Sequence, residues 1–356
     1  MALNRGTLET IKVNRVHGKI ALEEAVGSSY FVAHGTYPPT PMILGMQGTL
    51  PPYNQSFLHD IDDRLDDIPK RLKSMGASGI EYAIVSLTCP GIEGVLNADE
   101  AVRLAKLTND DIYEKYVKAH PTRFGFFACV PMQKPEEAAK ELDRAVTVLG
   151  AKGVLINGFT NMDEKDLSKV QYLDDPRCEP FWKKSSELNV PLYLHPRIPP
   201  FGQQRIYEKY PNLSQAAYGF GVETAGHTLR IMCSGVFDRY PNVQLILGHC
   251  AESLPFLAHR IDHRMAIGEA GGNGPYKKSI MHYLQNNIIA TLAGVRREST
   301  MRNTIDEMGE ARVLFSVDYP YESNEDAADW FDGMQLNENT RAAVARGNAS
   351  KTFGLI

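Results

Sequence analysis

In Val243-Gln244-Leu245-Ile246-Leu247-Gly248-His249-Cys250-Ala251-Glu252, a short apolar run ends in a glycine, a histidine and, three residues later, a glutamate. A run of this length and composition predicts a buried strand. Buried parallel strands that deliver a polar residue at the C-terminal end are how α/β barrels and open α/β sheets build active sites. Three other stretches end the same way. Residues 191–194 lead into His195, residues 312–317 into Asp318, and residues 17–22 into Glu23 and Glu24.

Outward from these ends, strand and helix patterns alternate. Strands are predicted at 17–22, 81–87, 123–130, 152–156, 191–194, 243–248, 287–291 and 312–317. Helices are predicted near 62–75, 98–119, 135–150, 177–189, 222–237, 252–268, 276–284 and 297–309, with two more near 325–333 and 337–350. Alternation of this kind implies a parallel sheet with right-handed crossovers. Eight units in 356 residues fit a (β/α)8 TIM barrel, with a doubly wound sheet as the alternative. The predicted organisation is an N-terminal arm at 1–16 and one barrel domain at 17–356. Long loops containing Pro and Tyr are expected at 26–58 and 196–218; the first suits a lid or a subunit contact, with a mobile insertion as the alternative.

Bulk properties narrow the function classes. The formal net charge of −5 gives no basic footprint for nucleic acid. No apolar run approaches the ~20 residues of a membrane span. Met1 to Arg15 has no apolar leader-like segment, and the five cysteines are scattered without a CxxC pair. Free thiols in a reducing cytosol are therefore expected, and a cytoplasmic location with them.

In a barrel, strand C-terminal ends converge on one face. Glu23, His195 and Asp318 would then offer a mixed nitrogen and oxygen donor set for one divalent ion, Zn²⁺, Mn²⁺ or Mg²⁺. Alone, each has a bland reading as a hydrogen-bonded scaffold residue; their coincidence on one face favours function. Glu252 stands where it can accept from His249 and fix its tautomer, or merely favour a helix N-terminus by charge. Arg260, on the following helix, can reach an anionic substrate or pair with Asp262. Cys250, beside His249, reads as a bystander rather than a nucleophile.

At these residues the chain resembles the ortho-hydroxybenzoate decarboxylases of the amidohydrolase superfamily. The resemblance rests on Gly18-Lys19-Ile20-Ala21-Leu22-Glu23-Glu24-Ala25, Tyr193-Leu194-His195-Pro196, Ser234-Gly235-Val236-Phe237-Asp238-Arg239, Leu247-Gly248-His249 and Phe315-Ser316-Val317-Asp318-Tyr319-Pro320. It runs from about residue 17 to the C-terminus. It implies a barrel, a bound divalent metal and reversible, non-oxidative decarboxylation of a 2,3-dihydroxybenzoate-like acid to a phenol and CO2 or bicarbonate. By position it makes Glu23, His195 and Asp318 the metal ligands, His249 and Glu252 a catalytic pair with Asp318, and Arg260 and His249 contacts to substrate. Where related hydrolases carry a His-x-His pair on the first strand, this chain reads Glu23-Glu24-Ala25. A metal-dependent hydrolase or hydratase, and a catalytically inactive barrel that binds aromatic acids, are the alternatives. A homodimer or homotetramer is expected.

Overall fold

The computed structural model describes residues 14–30, 55–163, 165–268 and 274–355. Eight strands pair in parallel: β1 (Lys19–Val26), β2 (Ile80–Leu87), β3 (Phe124–Phe126), β4 (Val154–Asn157), β5 (Leu192–His195), β6 (Leu245–Leu247), β7 (Ile288–Thr291) and β8 (Val313–Leu314). They form one run of β1-β2-β3 and another of β4-β5-β6-β7-β8. Single parallel bridges, Ala128 to Val154 and Glu24 to Tyr319, join the two runs and close the barrel.

The alternation of side chains along each strand separates two apolar shells. Ile20, Leu22, Ile84, Leu155, Tyr193, Ile246, Ile289 and Leu314 pack together inside the barrel, with Phe127 and with Phe353 of the last helix. The opposite faces of the strands pack on the surrounding helices through two larger clusters. The parity that points Leu155, Tyr193 and Ile289 inward also aims the residues two further along at the upper rim. His195, Asn157 and Thr291 reach the rim in this way.

Element boundaries differ from the sequence expectations where local chemistry intervenes. The helix expected at 62–75 is two helices, Gln55–Leu65 and Ile68–Ala77. Asp67 caps the second by accepting from the Lys70 amide, and Pro69 stands in its first turn. Most of the predicted 26–58 loop and of the 1–16 arm falls outside the described residues. Within the arm, Arg15 pairs with Asp329 and Asp332. The last strand is short because the Phe315 amide turns to the carbonyl of Val344. Ser316 then bridges the seam, its hydroxyl accepting from the amides of Leu22 and Glu23. Among the described residues, no helix is long and apolar enough to cross a membrane.

Candidate active site

Glu23 sits within β1, His195 ends β5, and Asp318 follows β8. Each offers one ligand atom, and these atoms lie within 4.8 Å of one another. Glu23 is 2% exposed, and its Oε1 is buried without a hydrogen-bond partner. His195 Nε2 is 3.6 Å from that oxygen and His249 Nε2 is 3.9 Å from it. A buried carboxylate oxygen left unpaired is costly, so each such atom calls for an explanation. Two hard oxygens and one imidazole nitrogen converging on open space fit a divalent cation. Ala25 lines the same cavity and adds no donor.

His249 is carried by an unusual backbone. His249, Cys250, Ala251, Glu252 and Ser253 all have positive φ, between 51° and 64°. The helix expected from 252 therefore begins only at Leu254, after one left-handed turn. None of the five is glycine, and left-handed L-residues cost on the order of 1–2 kcal/mol each. Burial of Cys250, Ala251 and Leu254 in the outer core opposes that cost. The turn places His249 Nδ1 2.7 Å from Glu252 Oε1, while Nε2 lies 3.8 Å from Asp318 Oδ2. Strain held at a site by its surroundings is a common mark of function.

The charges follow from this packing. Burial pushes the Asp318 carboxyl up to about 7; Glu23 adds to the rise and His249 opposes it. For His249, burial alone would lower the pKa, but Glu252, Glu23 and Asp318 outweigh it and raise it well above the usual range. Burial lowers that of His195, which favours the neutral imidazole a metal requires. Burial also raises Cys250 to about 11, so its thiol is inert at neutral pH.

The structure thus brings together Glu23, His195, His249, Glu252 and Asp318. Arg260 is exposed on the helix Leu254–Ala266 and makes no hydrogen bond or ion pair with them. The cavity at the cluster is also walled by Ser86, Thr88, Cys89, Leu155 and Asn157, from the ends of β2 and β4. None of these stands out in the sequence, nor do Tyr193 and Thr291, which touch Glu23. The signal was strand parity: Tyr193 stands two residues before His195, and Asn157 ends a buried strand.

A model of the family described as "Amidohydrolase" matches residues 33–355. The chain belongs to the amidohydrolase family. Over 344 residues it is 39% identical to the gamma-resorcylate decarboxylase of Polaromonas sp. (strain JS666 / ATCC BAA-500), covering 96% of this chain and 99% of that protein. Among solved structures, it resembles a 2,6-dihydroxybenzoate decarboxylase complexed with 2,6-dihydroxybenzoate, with a TM-score of 0.86 and 37% identity over 96% of this chain and 100% of that one. It equally resembles a dihydroxybenzoic acid decarboxylase from Polaromonas sp. JS666 that holds manganese and the inhibitor 2-nitroresorcinol. There the TM-score is 0.86 and the identity 38%, over 96% of this chain and 98% of that one. This amidohydrolase chain therefore shares fold and near-complete length with decarboxylases of hydroxybenzoic acids.

Proposed function

We propose that this protein is a metal-dependent carboxy-lyase that removes the carboxylate of an ortho-hydroxybenzoic acid as CO2, reversibly and without oxidation. The observation that carries this reading is the set of Glu23, His195 and Asp318 donors beside the His249–Glu252 pair on the strand-end face of the barrel. Glu23, His195 and Asp318 would hold the cation, and manganese in the Polaromonas relative makes Mn²⁺ the first ion to test. When bound, the cation supplies Lewis-acid charge that offsets the negative charge of the substrate.

The residues of the chain account for the proton movements. Asp318, whose Oδ2 lies 3.8 Å from His249 Nε2, is the proposed proton donor. It donates a proton to the ring carbon bearing the carboxylate. The ring loses aromaticity as the ortho phenolate becomes a carbonyl. The bond to the carboxylate then breaks, its electron pair returns to the ring, and CO2 leaves. His249, protonated and held by Glu252, is a donor for the oxygen of the phenolate. Asp318 is left ionised and regains its proton from solvent. The reverse sequence carboxylates a phenol.

Arg260 is the proposed anion contact for the substrate. A homodimer or homotetramer is proposed on the strength of the exposed apolar side chains Tyr218, Val222, Phe256 and Leu257, with light scattering as the test. Similarity to the 2,6-dihydroxybenzoate decarboxylases supports 2,6-dihydroxybenzoate over the 2,3-isomer as the first substrate. Incubating the protein with both isomers and with salicylate, and following phenol formation by chromatography, tests the proposal. Phenol from at least one acid is expected; none from any of them, with folded and Mn²⁺-loaded protein, would overturn it.

A further inference from the structure

The two carboxylate oxygens of Glu23 have different surroundings. Oε2 accepts the hydroxyl proton of Tyr193 and lies 3.4 Å from Thr291 Oγ1. Tyr193 Oη and Thr291 Oγ1 are 3.0 Å apart. Oε1 has no hydrogen-bond partner and faces the two imidazoles. Counting protons fixes the directions. An ionised carboxylate only accepts, and a phenol has one proton to give. That proton goes to Oε2, so the threonine hydroxyl donates to the phenol oxygen or to Oε2 itself.

We infer that Tyr193 and Thr291 form a clamp that positions Glu23, tying down Oε2 so that Oε1 alone is presented to the cation. This rests on the reading of Glu23 as a metal ligand. The three residues come from β5, β7 and β1, so the clamp is anchored in the barrel wall rather than in loops. Tyr193 is fully buried and its ring packs on Phe127, with centroids 5.8 Å apart. The side chain therefore has no freedom to follow a carboxylate that turns. Tyr193 also lies two residues before His195, so one strand face carries one ligand and the residue that orients another. Without the phenol hydroxyl, Oε2 becomes a buried acceptor short of its main donor, and the carboxylate is free to rotate away from the geometry the cation needs. Partners that orient ligands in this way typically account for 10–100-fold in metal affinity.

The test measures Mn²⁺ affinity by competition with a fluorescent chelator, on metal-stripped full-length protein, together with thermal melts of the metal-free forms. Glu23→Gln is expected to lose measurable Mn²⁺ binding. Tyr193→Phe keeps the ring and removes only the hydroxyl; it is expected to bind Mn²⁺ about 10–100-fold more weakly with a metal-free melt close to that of the parent. Thr291→Val should weaken binding to a lesser degree, and Thr291→Ser, which restores the hydroxyl, should return it to the parent value. Parent-like binding by Glu23→Gln would remove Glu23 from the ligands and with it the basis of the clamp. Loss of binding in Glu23→Gln with parent-like binding in Tyr193→Phe would overturn the clamp alone. Should Tyr193→Phe fail to fold, the Thr291 pair decides: a weakened valine and a parent-like serine support the clamp, and a parent-like valine overturns it.

Discussion

Gly248 immediately precedes His249, and the most local test of the site is Gly248→Ala. Its backbone, φ −67° and ψ −178°, is one that alanine adopts freely, so the substitution carries no conformational strain. The conflict lies in the added methyl. A Cβ there would stand 2.6 Å from Glu23 Oε2 and 2.9 Å from Oε1. Reaching an ordinary van der Waals separation requires a shift of roughly half an ångström or more. Glu23 cannot retreat without leaving Tyr193, so the carboxylate is displaced from the cluster. Misplacement on that scale typically costs about 10–100-fold in metal affinity and on the order of 100-fold in rate. Overall stability should fall by no more than about 2–3 kcal/mol, because the roughly 1–3 kcal/mol of overpacking is partly offset by the lower chain entropy of alanine. Metal titration of the stripped protein, a thermal melt and turnover under saturating Mn²⁺ measure the three quantities separately. A variant that folds, binds Mn²⁺ as tightly as the parent and turns over at the parent rate would refute the placement of Glu23 in the site.

Other outcomes follow from the same geometry. Asp318→Asn removes the proton donor and should lower kcat by about 10²–10⁴-fold while Mn²⁺ content, measured by elemental analysis, is largely retained; near-parent turnover would dismiss Asp318 as the donor. Arg260→Ala should raise KM for the acid with little change in Mn²⁺ affinity, and an unchanged KM would remove Arg260 from substrate binding. Glu93 is fully buried, and burial raises its carboxyl to about 7. A folded-state pKa above the unfolded value means the native state binds the extra proton, so this contribution is present at acid pH and lost as pH rises from about 4.5 through 7. Glu93→Gln should therefore gain in Tm relative to the parent on going from pH 5 to pH 8, and an identical difference at both pH values would contradict the shift.

Much of the fold was legible because buried parallel strands leave apolar runs, and helices between them leave caps and glycines. The ends of those runs also exposed Glu23, His195, His249 and Asp318, since a barrel sends every such end to one rim. The left-handed turn from His249 to Ser253 was not legible. Cys250, Ala251, Glu252 and Ser253 have no preference for positive φ, and only burial against the outer core selects it. The division of one expected helix at Asp66 and Asp67 was written in the chain, because Asp67-Ile68-Pro69 is a capping residue followed by a first-turn proline. Tyr193 escaped because a tyrosine inside a strand reads as core, and its hydroxyl becomes meaningful only when β1 and β7 bring Glu23 and Thr291 to it.

Under the proposed function, a divalent cation held by Glu23, His195 and Asp318 is required for loss of CO2 from a hydroxybenzoate. The direct measurement is CO2 release from 2,6-dihydroxybenzoate by three forms of one preparation: untreated, stripped by a chelator, and stripped then reloaded with Mn²⁺. The account predicts release by the first, none by the second, and recovery in the third. Undiminished release from stripped protein shown to hold no metal would contradict it.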